Sequence, residues 1–317
     1  MEIKTREFTF DASEGHGKIF VRLFEPEKRE AARAVVQIAH GMAEHSLRYR
    51  DFARYLAQQG FVVSVHDHMG HGKSVSQGDA YGYFGENGYQ TLVNDMHRLH
   101  DLLVKEYAPL PYVMMGHSMG SFLTRSYLSR FGADITAAVI CGTSAGQSPL
   151  MMAAGRRIAE RIVRRKGAKS QSPLLQNLTT GSFNKRFEPG RTENDWLTRD
   201  EAIVDAYCGD PLCGFPFTAS GYRDLICLLS DVNQKEWYAA VPDIPLLLIA
   251  GEDDPVGDFG KGVRRVAEGL EASGHHKVSL ILYPEYRHEI LNELGKEKVY
   301  GDIKDFLEEH AVPCKPE

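Results

Sequence analysis

Two short motifs in this chain have the residue types and spacing of a nucleophilic serine. Gly116-His117-Ser118-Met119-Gly120 lies between an apolar run at 112–115 and a helical pattern at 120–130. A serine hydroxyl attacks a carbonyl carbon when a tight strand-to-helix turn holds its oxygen out into a cleft, and flanking glycines let strand and helix close up around it. The helix N-terminus then aims backbone N–H groups at the oxyanion that develops. Gly142-Thr143-Ser144-Ala145-Gly146 repeats the pattern after the apolar run 137–141. It is followed by Gln147-Ser148-Pro149, and a proline biases the residue before it away from helical geometry. No helix can start directly on Ser144, so the context favours Ser118.

A serine needs a base to take its proton, and the base needs a carboxylate to fix its tautomer and stabilise the imidazolium. On an open α/β sheet these come from later strand ends, in the order serine, acid, histidine. The run 245–250 leads into Gly251-Glu252-Asp253-Asp254-Pro255-Val256, and the run 278–283 into Pro284-Glu285-Tyr286-Arg287-His288-Glu289. Of the thirteen histidines, His288 stands out because it comes after both the last strand and the acids. His275 and His276 precede that strand, and His310 falls in the C-terminal helical pattern. Spacing alone does not choose among Glu252, Asp253 and Asp254. After the run 34–39, a turn at His40-Gly41-Met42 supplies a Met42 N–H that can pair with that of Met119 in an oxyanion hole. An ordinary strand-to-helix turn would read the same way.

Positioning such groups takes a sheet of buried strands. Apolar runs at 18–24, 34–39, 61–65, 112–115, 137–141, 245–250 and 278–283 alternate with helical patterns near 47–59, 89–106, 120–130, 258–272 and 298–310. That alternation is the signature of an α/β fold. Several runs are almost continuously apolar, as strands of a mostly parallel sheet covered on both faces should be. From 146 to 240 the alternation stops, and the content is polar, helical and rich in Gly and Pro. A structureless loop of that length is implausible in a compact domain. The expected organisation is a core of 1–145 and 241–317 with a helical cap insertion at 146–240. A separate second domain starting near 146 is the alternative, but the stretch after Pro245 is too short to build its own core.

The 317 residues carry 43% hydrophobic and 25% charged side chains, the balance of an ordinary globular protein. A net charge of −6 argues against a nucleic-acid partner. The start, Met1-Glu2-Ile3-Lys4, lacks the basic-then-apolar pattern of a secretory signal, and no run of about 18 apolar residues suited to cross a bilayer occurs. Cys141, Cys208, Cys213, Cys227 and Cys314 form no C-x-x-C pair. They read as reduced thiols of a cytoplasmic protein or as core fillers, and they argue against a structural zinc site.

Four ordered segments resemble the monoacylglycerol lipase and lysophospholipase group of α/β-hydrolases, also described as serine aminopeptidase-like. They are His40-Gly41-Met42-Ala43-Glu44-His45-Ser46-Leu47-Arg48-Tyr49, Asp67-His68-Met69-Gly70-His71-Gly72-Lys73-Ser74, Gly116-His117-Ser118-Met119-Gly120-Ser121 and Arg287-His288-Glu289-Ile290-Leu291-Asn292-Glu293. The resemblance spans about residues 34 to 310. It implies an α/β-hydrolase fold and a triad of Ser118, Asp254 and His288. Asp254 is the acid because the group's Gly-x-x-Asp, one residue, then an aliphatic residue matches Gly251 to Val256. It also implies an oxyanion hole from the Met42 and Met119 N–H groups, and a cap at 146–240 over an acyl-chain pocket. The expected activity is hydrolysis of carboxylic esters such as monoacylglycerols or lysophospholipids, with no cofactor and no metal. The cap sequence itself shows no match.

Three other readings compete. His66-Asp67-His68 with His71 invites a metal site, but the spacing fits no metallo-hydrolase pattern, and a structural loop accounts for it better. The segment 156–166 carries six positive charges and one negative, with Ile158, Ala159, Ile162 and Val163 on one helical face. It reads either as a peripheral contact with anionic lipid or, more plainly, as a solvated basic face whose apolar stripe packs on the core. Finally, the same triad serves amides, so a peptide-cleaving hydrolase is the alternative enzyme. A ligand-binding protein on the same fold is the non-enzymatic one.

Overall fold

The computed structural model describes residues 2–312, so Cys314 lies outside the described residues. Eight strands form one sheet: β1 (Ile3–Asp11), β2 (Lys18–Pro26), β3 (Ala34–Ala39), β4 (Phe61–His66), β5 (Tyr112–His117), β6 (Ala137–Cys141), β7 (Leu246–Gly251) and β8 (Val278–Tyr283). Their order is β1-β2-β4-β3-β5-β6-β7-β8. β2 pairs antiparallel with β1 and β4, and every other pairing is parallel.

The alternation of side chains along each strand divides the core into two layers. Ala34, Val36 and Ile38 of β3 pack on one face beneath α1 (Arg50–Gln58) and α10 (Lys296–His310). Val35 and Ala39 pack on the other, beneath α2 (Tyr89–Tyr107), α3 (Met119–Phe131) and α9 (Lys261–Ala272). Gln37 is the polar exception in β3. It is fully buried, and its amide donates to the Met96 carbonyl and accepts from the Tyr112 hydroxyl.

The sequence reading missed β1. Its burial alternates half-buried and exposed because it is the edge strand of an antiparallel hairpin, so Lys4, Arg6 and Glu7 displace the apolar run that marks inner strands.

Between β6 and β7 lie five helices: α4 (Pro149–Lys166), α5 (Pro173–Thr179), α6 (Glu201–Gly209), α7 (Ala219–Asp231) and α8 (Lys235–Ala240). The first two begin on Ser-Pro pairs. Ser148 and Ser172 are N-caps whose hydroxyls accept from Met151 N and Leu175 N, with proline at the first helical position. α4 runs along α7, which in turn lies against α2 and α3. No described helix is long and apolar enough to cross a membrane.

Candidate active site

β5 ends at His117, and the chain turns into α3 at Ser118, which adopts φ 55 and ψ −122. A non-glycine residue in that region costs on the order of 1–3 kcal/mol, so its surroundings must hold it there. They do so from both sides. The Ser118 N–H donates to the Cys141 carbonyl at 3.0 Å, and the Ser118 carbonyl accepts from Ser121 N at 2.8 Å. A Cβ on Gly116 would stand 2.1 Å from the Gly120 carbonyl oxygen, and one on Gly120 would stand 2.0 Å from that of Ala39. Only glycine fits either position. Ser118 is half-buried between buried His117 and buried Met119, which leaves its hydroxyl reachable. Ser144 instead sits in the loop ahead of Pro149, where its hydroxyl accepts from Gly146 N and its carbonyl from Arg125.

The candidate acid and the candidate base come from adjacent strand ends. A Cβ on Gly251 would stand 2.0 Å from the Tyr286 carbonyl oxygen, so the loops after β7 and β8 touch there. Asp254 is fully buried; its Oδ2 lies 2.9 Å from His288 Nδ1, and its Oδ1 accepts from Val256 N at 2.8 Å. Glu252 is exposed, and Asp253 pairs with Arg186 at 3.0 Å. Of the three adjacent acids only Asp254 reaches the histidine. His288 and Ser118 both border the Cys141-Gly142 turn: a Cβ on Gly142 would stand 3.2 Å from His288 Cε1. Among the described residues no hydrogen bond joins Ser118 to His288, and His288 Nε2 has no protein partner. Such bonds are commonly long in ligand-free sites and tighten with substrate.

The segment after β3 packs against the serine turn. A Cβ on Gly41 would stand 3.2 Å from Ser118 Cβ, which brings this turn against the serine. Among the described hydrogen bonds, neither Met42 N nor Met119 N donates to protein. The turn is fixed by Glu44, whose Oε1 accepts from Gly41 N at 2.5 Å and from the Tyr49 hydroxyl at 2.7 Å. Half-buried Arg48 bonds Glu44 Oε2 at 2.7 Å and grips both oxygens of Glu289, at 2.5 and 2.6 Å. The guanidinium therefore ties this turn to the residue after His288. Sequence reasoning missed the network, although all of its members except Glu289 stand within ten residues of His40.

His40, His66, His68 and His71 are all buried, with His40 Nε2 accepting from His68 N at 3.0 Å. Burial pushes His66 and His71 down to about 4, so they are neutral near pH 7. Asp67 accepts from Ser46 N and Lys73 N rather than facing the rings. The rings pack on one another, His40 lying 4.2 Å from His68 and 5.1 Å from His71 between ring centroids.

The helical segment also reaches the site. The Trp196 ring lies 5.1 Å from that of His288, with Phe183 behind it at 4.9 Å. Glu289 N donates to the Leu197 carbonyl at 2.7 Å, which stitches this segment to the histidine loop. On α4, Ala159 is buried and Ile162 and Val163 are half-buried, but Ile158 is 39% exposed and turns away from the packed face expected for it. Leu174 and Leu178 on α5 also face solvent.

Residues 30–295 match the serine aminopeptidase, S33, family (Hydrolase_4). This chain belongs to that family. The hydrolase is 28% identical over 286 residues to the monoacylglycerol lipase of Mycolicibacterium smegmatis, covering 88% of this chain and 89% of that one. It is 28% identical over 303 residues to the human monoglyceride lipase, covering 93% and 88%. Among solved structures, a highly thermostable carboxyl esterase from Bacillus coagulans superposes with a TM-score of 0.91 at 32% identity, covering 97% of this chain and 99% of that one. The fold is that of the α/β-hydrolases, and the hydrolase is of the esterase and lipase kind.

Proposed function

We propose that this hydrolase cleaves carboxylic esters of a single fatty acyl chain, monoacylglycerols or lysophospholipids, through an acyl-enzyme on Ser118. The observation that carries the reading is the buried Asp254–His288 pair, 2.9 Å apart, beside a serine held in a strained strand-to-helix turn. Ser118 Oγ attacks the ester carbonyl as His288 Nε2 takes its proton, and Asp254 stabilises the imidazolium at Nδ1. The Met42 and Met119 N–H groups hold the oxyanion. The imidazolium returns the proton to the leaving alcohol, and the same base then activates water to free the acid.

Residues 146–240 serve as a cap in this reading. Trp196 and Phe183 shield the base from water and offer apolar surface to an acyl chain. The names of the mycobacterial and human relatives support the substrate class.

Each buried methylene is worth about 0.8 kcal/mol, so kcat/KM for p-nitrophenyl esters should rise several-fold from acetate to medium chains before levelling. Monoacylglycerols should turn over faster than triacylglycerols. A profile that peaks at acetate, or faster turnover of aminoacyl-arylamides than of any ester, would overturn the substrate assignment.

A further inference from the structure

His45, Asp210 and Cys213 meet where the segment between β6 and β7 crosses the turn that carries Met42. Their ligand atoms all lie within 4.8 Å of one another, and His45 Nε2 is 2.9 Å from Asp210 Oδ2. His45 and Asp210 are 165 residues apart in the chain, so no sequence spacing announces the group. We infer that these three side chains form a binding site for a thiophilic divalent cation of the zinc class.

The donor set is an imidazole, a carboxylate and a thiol, which zinc takes in tetrahedral geometry. Tetrahedral N, O and S ligands at zinc distances stand roughly 3.3–3.6 Å apart, so the His45–Asp210 pair opens slightly and the thiol closes by about 1.3 Å at most. Asp210 lies just past the end of α6 with its side chain 32% exposed, which gives it room to move and leaves a path for the ion and a water ligand.

The local charge favours a cation. Glu44, Glu289 and Asp210 act on Cys213 as negative charges and Arg48 as the positive one, leaving two negative charges before the thiol ionises. The His117 imidazolium, 3.6 Å from Glu44 on the far side, offsets one of these and leaves one. Ligation displaces the Cys213 thiol proton, so binding releases a proton. The His45 ring proton shifts to Nδ1, freeing Nε2 to ligate. The bound ion would fasten the Asp210–Cys213 loop to the turn beside Met42, adding to the existing bonds from Gly214 N and the Tyr207 hydroxyl to the Ala43 carbonyl.

The test is calorimetric titration of the chelator-treated full chain with zinc in two buffers of different ionisation enthalpy. It is paired with cobalt titration read by thiolate-to-cobalt charge-transfer absorption. The wild type should bind one equivalent with proton release, show the charge-transfer band, and gain thermal stability with zinc. Cys213→Ser and Asp210→Asn should each weaken zinc binding at least ten-fold, and Cys213→Ser should lose the band. Ester turnover of Cys213→Ser in chelated buffer should match the wild type, which shows that the fold is intact. Absence of binding to the wild type would overturn the proposal. So would unchanged affinity in Cys213→Ser, or loss of binding in His97→Ala, which would move the site to the surface group His97, His100 and Asp101 on α2.

Discussion

His117 Nε2 donates to the backbone carbonyl of His288 at 3.1 Å, so the residue before the proposed nucleophile supports the proposed base. Its Nδ1 lies 3.0 Å from the Tyr49 hydroxyl, which itself donates to Glu44. A carbonyl can only accept, and a hydroxyl that already donates to a carboxylate accepts from its other neighbour. Both ring nitrogens therefore act as donors, which describes an imidazolium.

That charge sets a pH dependence. Burial acts to lower the His117 pKa, but the Glu44 carboxylate 3.6 Å away and the charge of Glu289 outweigh it and raise the group above its ordinary 6.5. A raised folded pKa stabilises fully below the unfolded value and loses that stability as pH rises through the folded value. Urea unfolding should show the stability advantage of wild type over His117→Gln shrinking as pH climbs from about 6.5 upward. The loss is about 1.4 kcal/mol for each unit by which the fold raises the group. An advantage that grows over that range would contradict the assignment.

Much of this site was legible in the sequence because its chemistry rides on local backbone geometry. The elbow at Ser118 needs glycines at 116 and 120, and the later strand ends carry Asp254 and His288 in chain order. Spacing did not separate Asp254 from Asp253, since burial decides that, and burial belongs to the fold. Contacts across long sequence separations were not legible. Arg48 and Glu289 are 241 residues apart, and neither a periodic pattern nor a motif announces their pairing. The edge strand β1 was missed for the opposite reason: it is visible only as weak alternation. Trp196 lies in a helical segment with no resemblance to read, so its place over His288 emerged only from the fold.

The neighbouring acids make a sharp comparison. Asp254→Asn should lower kcat by about 10⁴, because an amide beside Nδ1 favours the wrong imidazole tautomer. Asp253→Asn should change kcat less than two- or three-fold, since its partner is the half-exposed Arg186 at the surface. Steady-state ester kinetics on both variants would decide, and the reverse order of effects would move the acid by one residue.

We propose that the outer face of α4 meets a lipid surface. Leu150 is 79% exposed and Met151 60%, and they share the outer face with Ile158 and with exposed Arg157, Arg161 and Arg165. Apolar side chains beside arginines bind the boundary of an anionic bilayer. The protein should co-sediment with phosphatidylserine-containing vesicles, less so as salt rises. The pair Leu150→Glu and Met151→Glu should cut the bound fraction several-fold while leaving turnover of a water-soluble ester intact. Equal binding by the double variant would remove α4 from the interface.

Covalent capture shows which serine is acylated, and Ser118 is the residue expected. Treatment with a fluorophosphonate followed by intact-mass measurement and peptide mapping should find one adduct per chain, on Ser118. Ser144→Ala should label as the wild type does, and Ser118→Ala should not label at all. Stoichiometric labelling of Ser118→Ala, or an adduct mapped to Ser144, would exclude Ser118 as the nucleophile.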